Sequence, residues 1–222
     1  MRTITYEFRQ GENIFTHAVE VHPQNGETHP ESGKVDWAKL EYNQCEGCRW
    51  TKDDYCPVAT RLNAPVHLLN DLRSYDAVEV RVTTPERVIT KHGDAQDGLS
   101  GLFGLIMSRS GCPAFEPFRG LGWYHLPFST YEETMFRVSS SYFLQEYLKG
   151  RLPNDRTQVN SQIQAFYNDV NKVNRGIMQR LKSGVAPRFD SAYNAIVILD
   201  SMGMIVSMSV DHAMDDIREA FE

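Results

Sequence analysis

The chain is short of positive charge: 29 acidic side chains face 23 basic ones, and no Lys/Arg stripe concentrates a positive field against the formal charge of −6. Nucleic-acid binding is therefore not expected. The opening "MRTITYEFRQGENIF" lacks the apolar run and the small-residue cleavage site of a secretion signal, so the chain reads as cytoplasmic. A reducing compartment disfavours lasting disulfides and leaves thiols free to react or bind.

Catalytic signatures are also missing. There is no HExxH helix and no nucleophile elbow, and "GLSGLFG" interleaves glycine with large apolar residues without the Lys-Ser/Thr of a phosphate loop. His17, His22, His29, His67 and His92 fall on different expected elements. Whether the chain is an enzyme stays open on these grounds. Tandem repeats and low-complexity tracts are lacking too, and a length of 222 residues with 41% hydrophobic side chains suits one domain, 1–222. Within it, a β-rich, cysteine-containing part covers 1–112 and a helical part covers 113–222.

The apolar residues that are present are patterned. "TITYEF" and "IFTHAVEV" alternate on either side of "RQGEN", and "AVEVRV" and "RVITKH" flank "TTPE". These alternations predict two hairpins and a small antiparallel sheet that needs a cover. The polar segment from Pro23 to Lys34 reads as a loop. Pro57 starts a helix towards Leu72, with a bend or break expected at Pro65. "AQDGLSGLFGLIMSRSG" predicts a second helix, whose internal glycines suit close packing and which Gly111 stops. Ser129 with Glu132 fits a capping box, with Phe128 as its staple, for a helix to about Lys149.

Val159, Ile163, Phe166, Val170, Val173, Ile177 and Leu181 then recur at spacings of three and four. This stripe predicts packing within a helical bundle, with homodimerisation as the alternative. "YNAIVILDSMGMIVSMSV" is apolar on nearly every face but contains Asp200 and has no counterpart elsewhere. It predicts the central or best-buried helix, from Ser191 to Phe221, rather than a membrane span, with Arg175 as a candidate partner for Asp200. The fold class is α+β: a small antiparallel sheet of two hairpins packed with a mainly helical C-terminal bundle.

The chain's four cysteines carry the functional signal. Cys45 and Cys48 form a CxxC turn, Cys56 returns after a short loop, and Cys112 is a distant fourth. Such a set matches the way structural zinc sites are built. Cys56 and Cys112 are each followed by proline, "CPVA" and "CPAF", which places each at a helix start where free amides lower a thiol's pKa. All four residues are therefore candidate metal ligands. Zinc is the expected cofactor and would leave no open coordination position. An iron–sulfur cluster is the alternative, with redox-active thiols, Cys45 and Cys48 nearest in sequence, as the metal-free version.

The segments "LEYNQCEGC", "CPVA", "GLSGLFGLIMSRSGCP" and "YHLPFSTYEETMFR", across roughly residues 37 to 137, resemble those of an uncharacterised bacterial protein family. No activity comes with the resemblance. It groups the cysteines with the segment from HLPF to EET, where His125 is a candidate for supporting a thiolate or replacing a ligand. Glu133 and Arg137 read as an ordinary helical pair. The overall expectation is a four-cysteine metal-binding protein acting in binding or regulation, its protein or small-molecule partner unknown.

Overall fold

Strict alternation in the first and third strands builds the sheet. In the computed structural model, which describes residues 1–23, 33–69, 71–151, 153, 155–185 and 190–222, β1 (Arg2–Gln10) pairs with β2 (Asn13–Val21) through a turn at Gly11, and β3 (Ala77–Thr83) pairs with β4 (Val88–Asp94). The strand order is β2-β1-β3-β4, all antiparallel, with Phe8 opposite both Phe15 and Val80. Ile4, Tyr6 and Phe8 of β1 share a face with Val78, Val80 and Val82 of β3, and all six are buried. Most of the loop expected between Pro23 and Lys34, His29 included, lies outside the described residues.

The cover is α2 (Ala95–Ser108). A Cβ on Gly98 would stand 2.6 Å from Val80 Cγ2 and 2.7 Å from Phe8 Cε1. The helix therefore lies closer to the sheet at that turn than any side chain would allow. Before it, α1 (Pro57–Leu68) runs through Pro65 without the expected break, with Pro65 buried. Proline removes one hydrogen bond near the end of this short helix, and core packing at Val58, Ala59, Leu62 and Val66 holds the remainder.

Four more helices complete the chain: α3 (Arg119–Trp123), α4 (Tyr131–Leu148), α5 (Arg156–Gly184) and α6 (Asp190–Glu219). The capping box of α4 sits one residue later than Ser129–Glu132. Thr130 Oγ1 accepts from Glu133 N at 3.1 Å, and Glu133 Oε2 accepts from Thr130 N at 2.8 Å. Ser129 is engaged elsewhere: its hydroxyl donates to Leu126 O at 2.9 Å and accepts from Arg137 Nη1 at 3.1 Å.

The apolar stripe of α5 is consumed inside the chain, where it meets α6 and the segment before α3. It is not a free dimer face. α6 is central, packing on α2, α4 and α5, but it is not the best-buried helix. Ala192, Ala195, Ile196, Val206 and Val210 enter the core, while Met204, Ile205 and Met208 are exposed. By length and composition Asp190–His212 could cross a membrane. The helix kinks at Ser209, whose hydroxyl donates to Ile205 O and meets Tyr131 Oη at 2.7 Å. Asp200 is buried, and Arg175 acts on it through space without forming an ion pair. Burial outweighs that attraction and raises the carboxyl's pKa.

Candidate metal centre

Cys45, Cys48, Cys56 and Cys112 line one cavity of about 40 Å³. Each arrives by a different local device. The CxxC turn closes when Cys48 N donates to Cys45 O at 3.1 Å, with Gly47 at φ +68°, a conformation that favours glycine. Asn43 ties this turn to α5, donating to Gly176 O at 3.2 Å and to Gln179 Oε1 at 2.8 Å. Cys56 N donates to Ala38 O at 2.7 Å, and the residue caps α1. Cys112 opens the 3-10 helix Pro113–Phe118.

Close approach of the turn to α5 depends on Gly176, where a Cβ would lie 2.6 Å from Cys45 Sγ. Gly176→Ala should destabilise the protein by about 1–3 kcal/mol, because the added methyl outweighs the gain of about 1 kcal/mol in helix propensity. A denaturant midpoint equal to or above that of the wild type would show that the turn shifts freely.

A fully buried cation sits beside the sulfurs. Arg180, on the wall of the same cavity, is 0% exposed and donates through Nη1 to Trp37 O at 2.5 Å and to Lys39 O at 2.7 Å. Its Nε and Nη2 have no hydrogen-bond partner among the described residues. An enclosed guanidinium without a counter-charge is costly, and Arg180 acts electrostatically to favour thiolate at Cys45 and Cys56. Arg180 was not expected from the sequence. The available signal was its position seven residues after Val173, on the apolar face of the stripe.

Three of the thiols, Cys45, Cys56 and Cys112, are not preformed anions. Burial pushes Cys45 up to about 11 and Cys112 up to about 12, and it raises Cys56 as well. The amides at the two helix starts do pull the other way, those of Val58 and Ala59 at Cys56 and that of Ala114 at Cys112. Desolvation exceeds them, so the lowering expected from the Cys-Pro starts is reversed in sign. Among the described residues, no group of three or more His, Cys, Asp or Glu side chains already has the spacing of a coordination sphere. Glu46 and Asp169 also border the cavity, and Asp169 is ion-paired with Arg49 at 3.5 Å and Lys172 at 3.3 Å.

His125 does not line this cavity. Its Nε2 meets the hydroxyl of buried Tyr6 at 2.5 Å, beneath α2 where Gly101 leaves room. Burial, helped by the charge of Arg137, pulls the imidazole down to about 3. The folded state therefore takes up this proton later than the unfolded chain, whose histidine titrates near 6.5. Stability from this source is complete above about pH 6.5 and is lost as pH falls towards 3, with a slope of at most about 1.4 kcal/mol per pH unit. His125→Gln keeps an acceptor for Tyr6 and removes the titration, so its stability should fall less steeply over that window in urea melts at several pH values. Parallel wild-type and variant curves would mean that the folded protein accommodates the imidazolium.

Arg137 is not paired with Glu133 as expected. Besides Ser129 it donates to Leu121 O at 3.3 Å and Tyr124 O at 2.9 Å, while the Glu133 carboxylate is taken by the cap. Glu132 plays no part in that cap.

A family model described as Domain of unknown function (DUF6901) matches residues 3–222. The chain belongs to this family. No curated protein and no solved structure matches it. Membership in DUF6901 covers the sheet, the cysteines and the helical bundle together, and it brings no reaction with it.

Proposed function

We propose that the protein is a cytoplasmic metal-binding protein whose four cysteines hold a structural zinc ion, and that it acts in binding or regulation. One observation carries this reading: thiols from three separated stretches of chain line a single small cavity beside a buried, incompletely satisfied arginine. Four thiolates around Zn²⁺ leave a net charge of about −2. Arg180 supplies buried positive charge where such a centre needs it, and Lys172 stands at the cavity edge. The soft sulfur donors suit zinc or iron over magnesium or calcium.

With its coordination filled by sulfur, zinc would supply no open position for chemistry. Its contribution is to tie the CxxC turn, the start of α1 and the segment after α2 into one unit. The raised pKa values of Cys45, Cys56 and Cys112 weigh against a metal-free redox switch built on those thiols, which needs thiolate at neutral pH.

The test is anaerobic purification followed by absorption spectroscopy and assay of zinc, iron and acid-labile sulfide. The expected result is a colourless protein with about one zinc per chain. Visible absorption with iron and sulfide would replace zinc by an iron–sulfur cluster. Protein that arrives metal-free and takes up neither would end the metal reading.

A further inference from the structure

A larger groove of about 1080 Å³ lies beyond the cysteine cavity, and Pro113 and Ala114 border both. One wall is α4, which is apolar on the side away from the core as well as towards it. Phe136, Leu144 and Leu148 line the groove at intervals of eight and four residues, and each is exposed, at 46%, 56% and 74%. Trp123 and Phe166 complete the apolar lining. An exposed apolar strip along a cleft marks an interaction site, and a volume of this order can hold a small-molecule ligand.

Positive and negative charge lining the groove are unevenly compensated. Two of the lining carboxylates are already neutralised, Glu146 by Lys149 and Arg151 and Asp169 by Arg49 and Lys172. Arg109, Arg119 and Arg137 also line the wall, and among the described residues none of them forms an ion pair. Arg109 and Arg137 are held by backbone carbonyls instead, Arg109 donating to Arg119 O at 3.1 Å and to His22 O, and Arg137 to Leu121 O and Tyr124 O. The partly exposed Arg119 guanidinium makes no hydrogen bond or ion pair among the described residues. Among the described residues, exposed Glu116 is the one lining carboxylate without an ion pair, so positive charge is in excess on the groove wall.

We propose that the groove binds a long-chain carboxylate, its apolar tail along Phe136, Leu144 and Leu148 and its head on Arg119, with Arg109 and Arg137 adding to the field. A planar guanidinium pairs with a carboxylate through two parallel hydrogen bonds, and Glu116 would oppose a dianionic phosphate head more than a singly charged one. This site does not depend on metal at the cysteines.

The experiment is calorimetric titration of the protein as purified with laurate, dodecanol and lauryl phosphate. Laurate should bind saturably and dodecanol at least about tenfold more weakly; Arg119→Gln should cost laurate about ten- to a hundredfold, the range for a hydrogen bond to a charged group. Leu144→Asp should remove binding, and since both altered side chains reach solvent, both variants should melt with the wild type. No saturable laurate binding, equal binding of dodecanol, or an unaffected Arg119→Gln variant would overturn the proposal. Tighter binding of lauryl phosphate would overturn the carboxylate assignment.

Discussion

Cys112→Ser should come off purification without stoichiometric metal and should be less stable than the wild type by about 3 kcal/mol or more. The estimate follows from linkage: for a site that forms only on folding, metal-binding free energy is folding free energy, and it reaches about 10–16 kcal/mol in isolated zinc modules. Cys112 is the informative position because it alone comes from outside the Cys45–Cys56 stretch, so its loss tests whether the distant thiol joins the other three. Strong chelation should lower the melting temperature of the wild type far more than that of the variant. Equal sensitivity to chelator in both proteins, or a variant that keeps its metal, would show that Cys112 is not a ligand.

Arg180→Met is expected to cost about 3–5 kcal/mol in metal-loaded protein, the range for breaking a buried charge pair by removing one partner. Two losses combine: the carbonyls of Trp37 and Lys39 lose their donor, and the anionic centre loses its buried counter-charge. After the metal is stripped, the second loss disappears, because neutral thiols need no cation and an uncompensated guanidinium is itself a burden. The penalty should then shrink to the cost of two unsatisfied carbonyls. Comparing wild type and variant with and without metal forms a double cycle whose coupling isolates the charge interaction. No coupling in that cycle would make Arg180 a structural strut for the segment from Trp37 to Lys39 and nothing more.

Much of this was legible in the sequence where a pattern has one physical solution. Alternation in "TITYEF" and "AVEVRV" admits a strand with one buried face, and the sheet register follows it. The spacing of Val159 to Leu181 admits a helix, and the structure buries that face. The spacing of Cys45, Cys48 and Cys56 and the Cys-Pro starts shared by Cys56 and Cys112 group the four cysteines, and the fold brings them to one cavity. Other features depend on what packs against them. A helix apolar all round, such as α6, does not say which side is covered, and Met204, Ile205 and Met208 remained outside.

Ser129–Glu132 and Thr130–Glu133 satisfy the same cap pattern, and only the competing bonds of Ser129 select the second. The thiol pKa values turned on depth of burial, which sequence does not measure, while the helix-start amides that it does suggest were the smaller effect. The arginines of the groove come from three elements and share a wall only after folding.

The contact between Asn43 and Gly176 spans 133 residues, and this has a consequence for the nascent chain. At roughly 5–20 residues per second of synthesis, the CxxC turn leaves the ribosome on the order of ten seconds before the helix that shields it exists. During that interval the first three thiols are exposed to oxidants and to any available metal. If the four cysteines hold zinc as proposed, a cell that makes this protein must either supply the ion during translation or keep those cysteines reduced until α5 is complete.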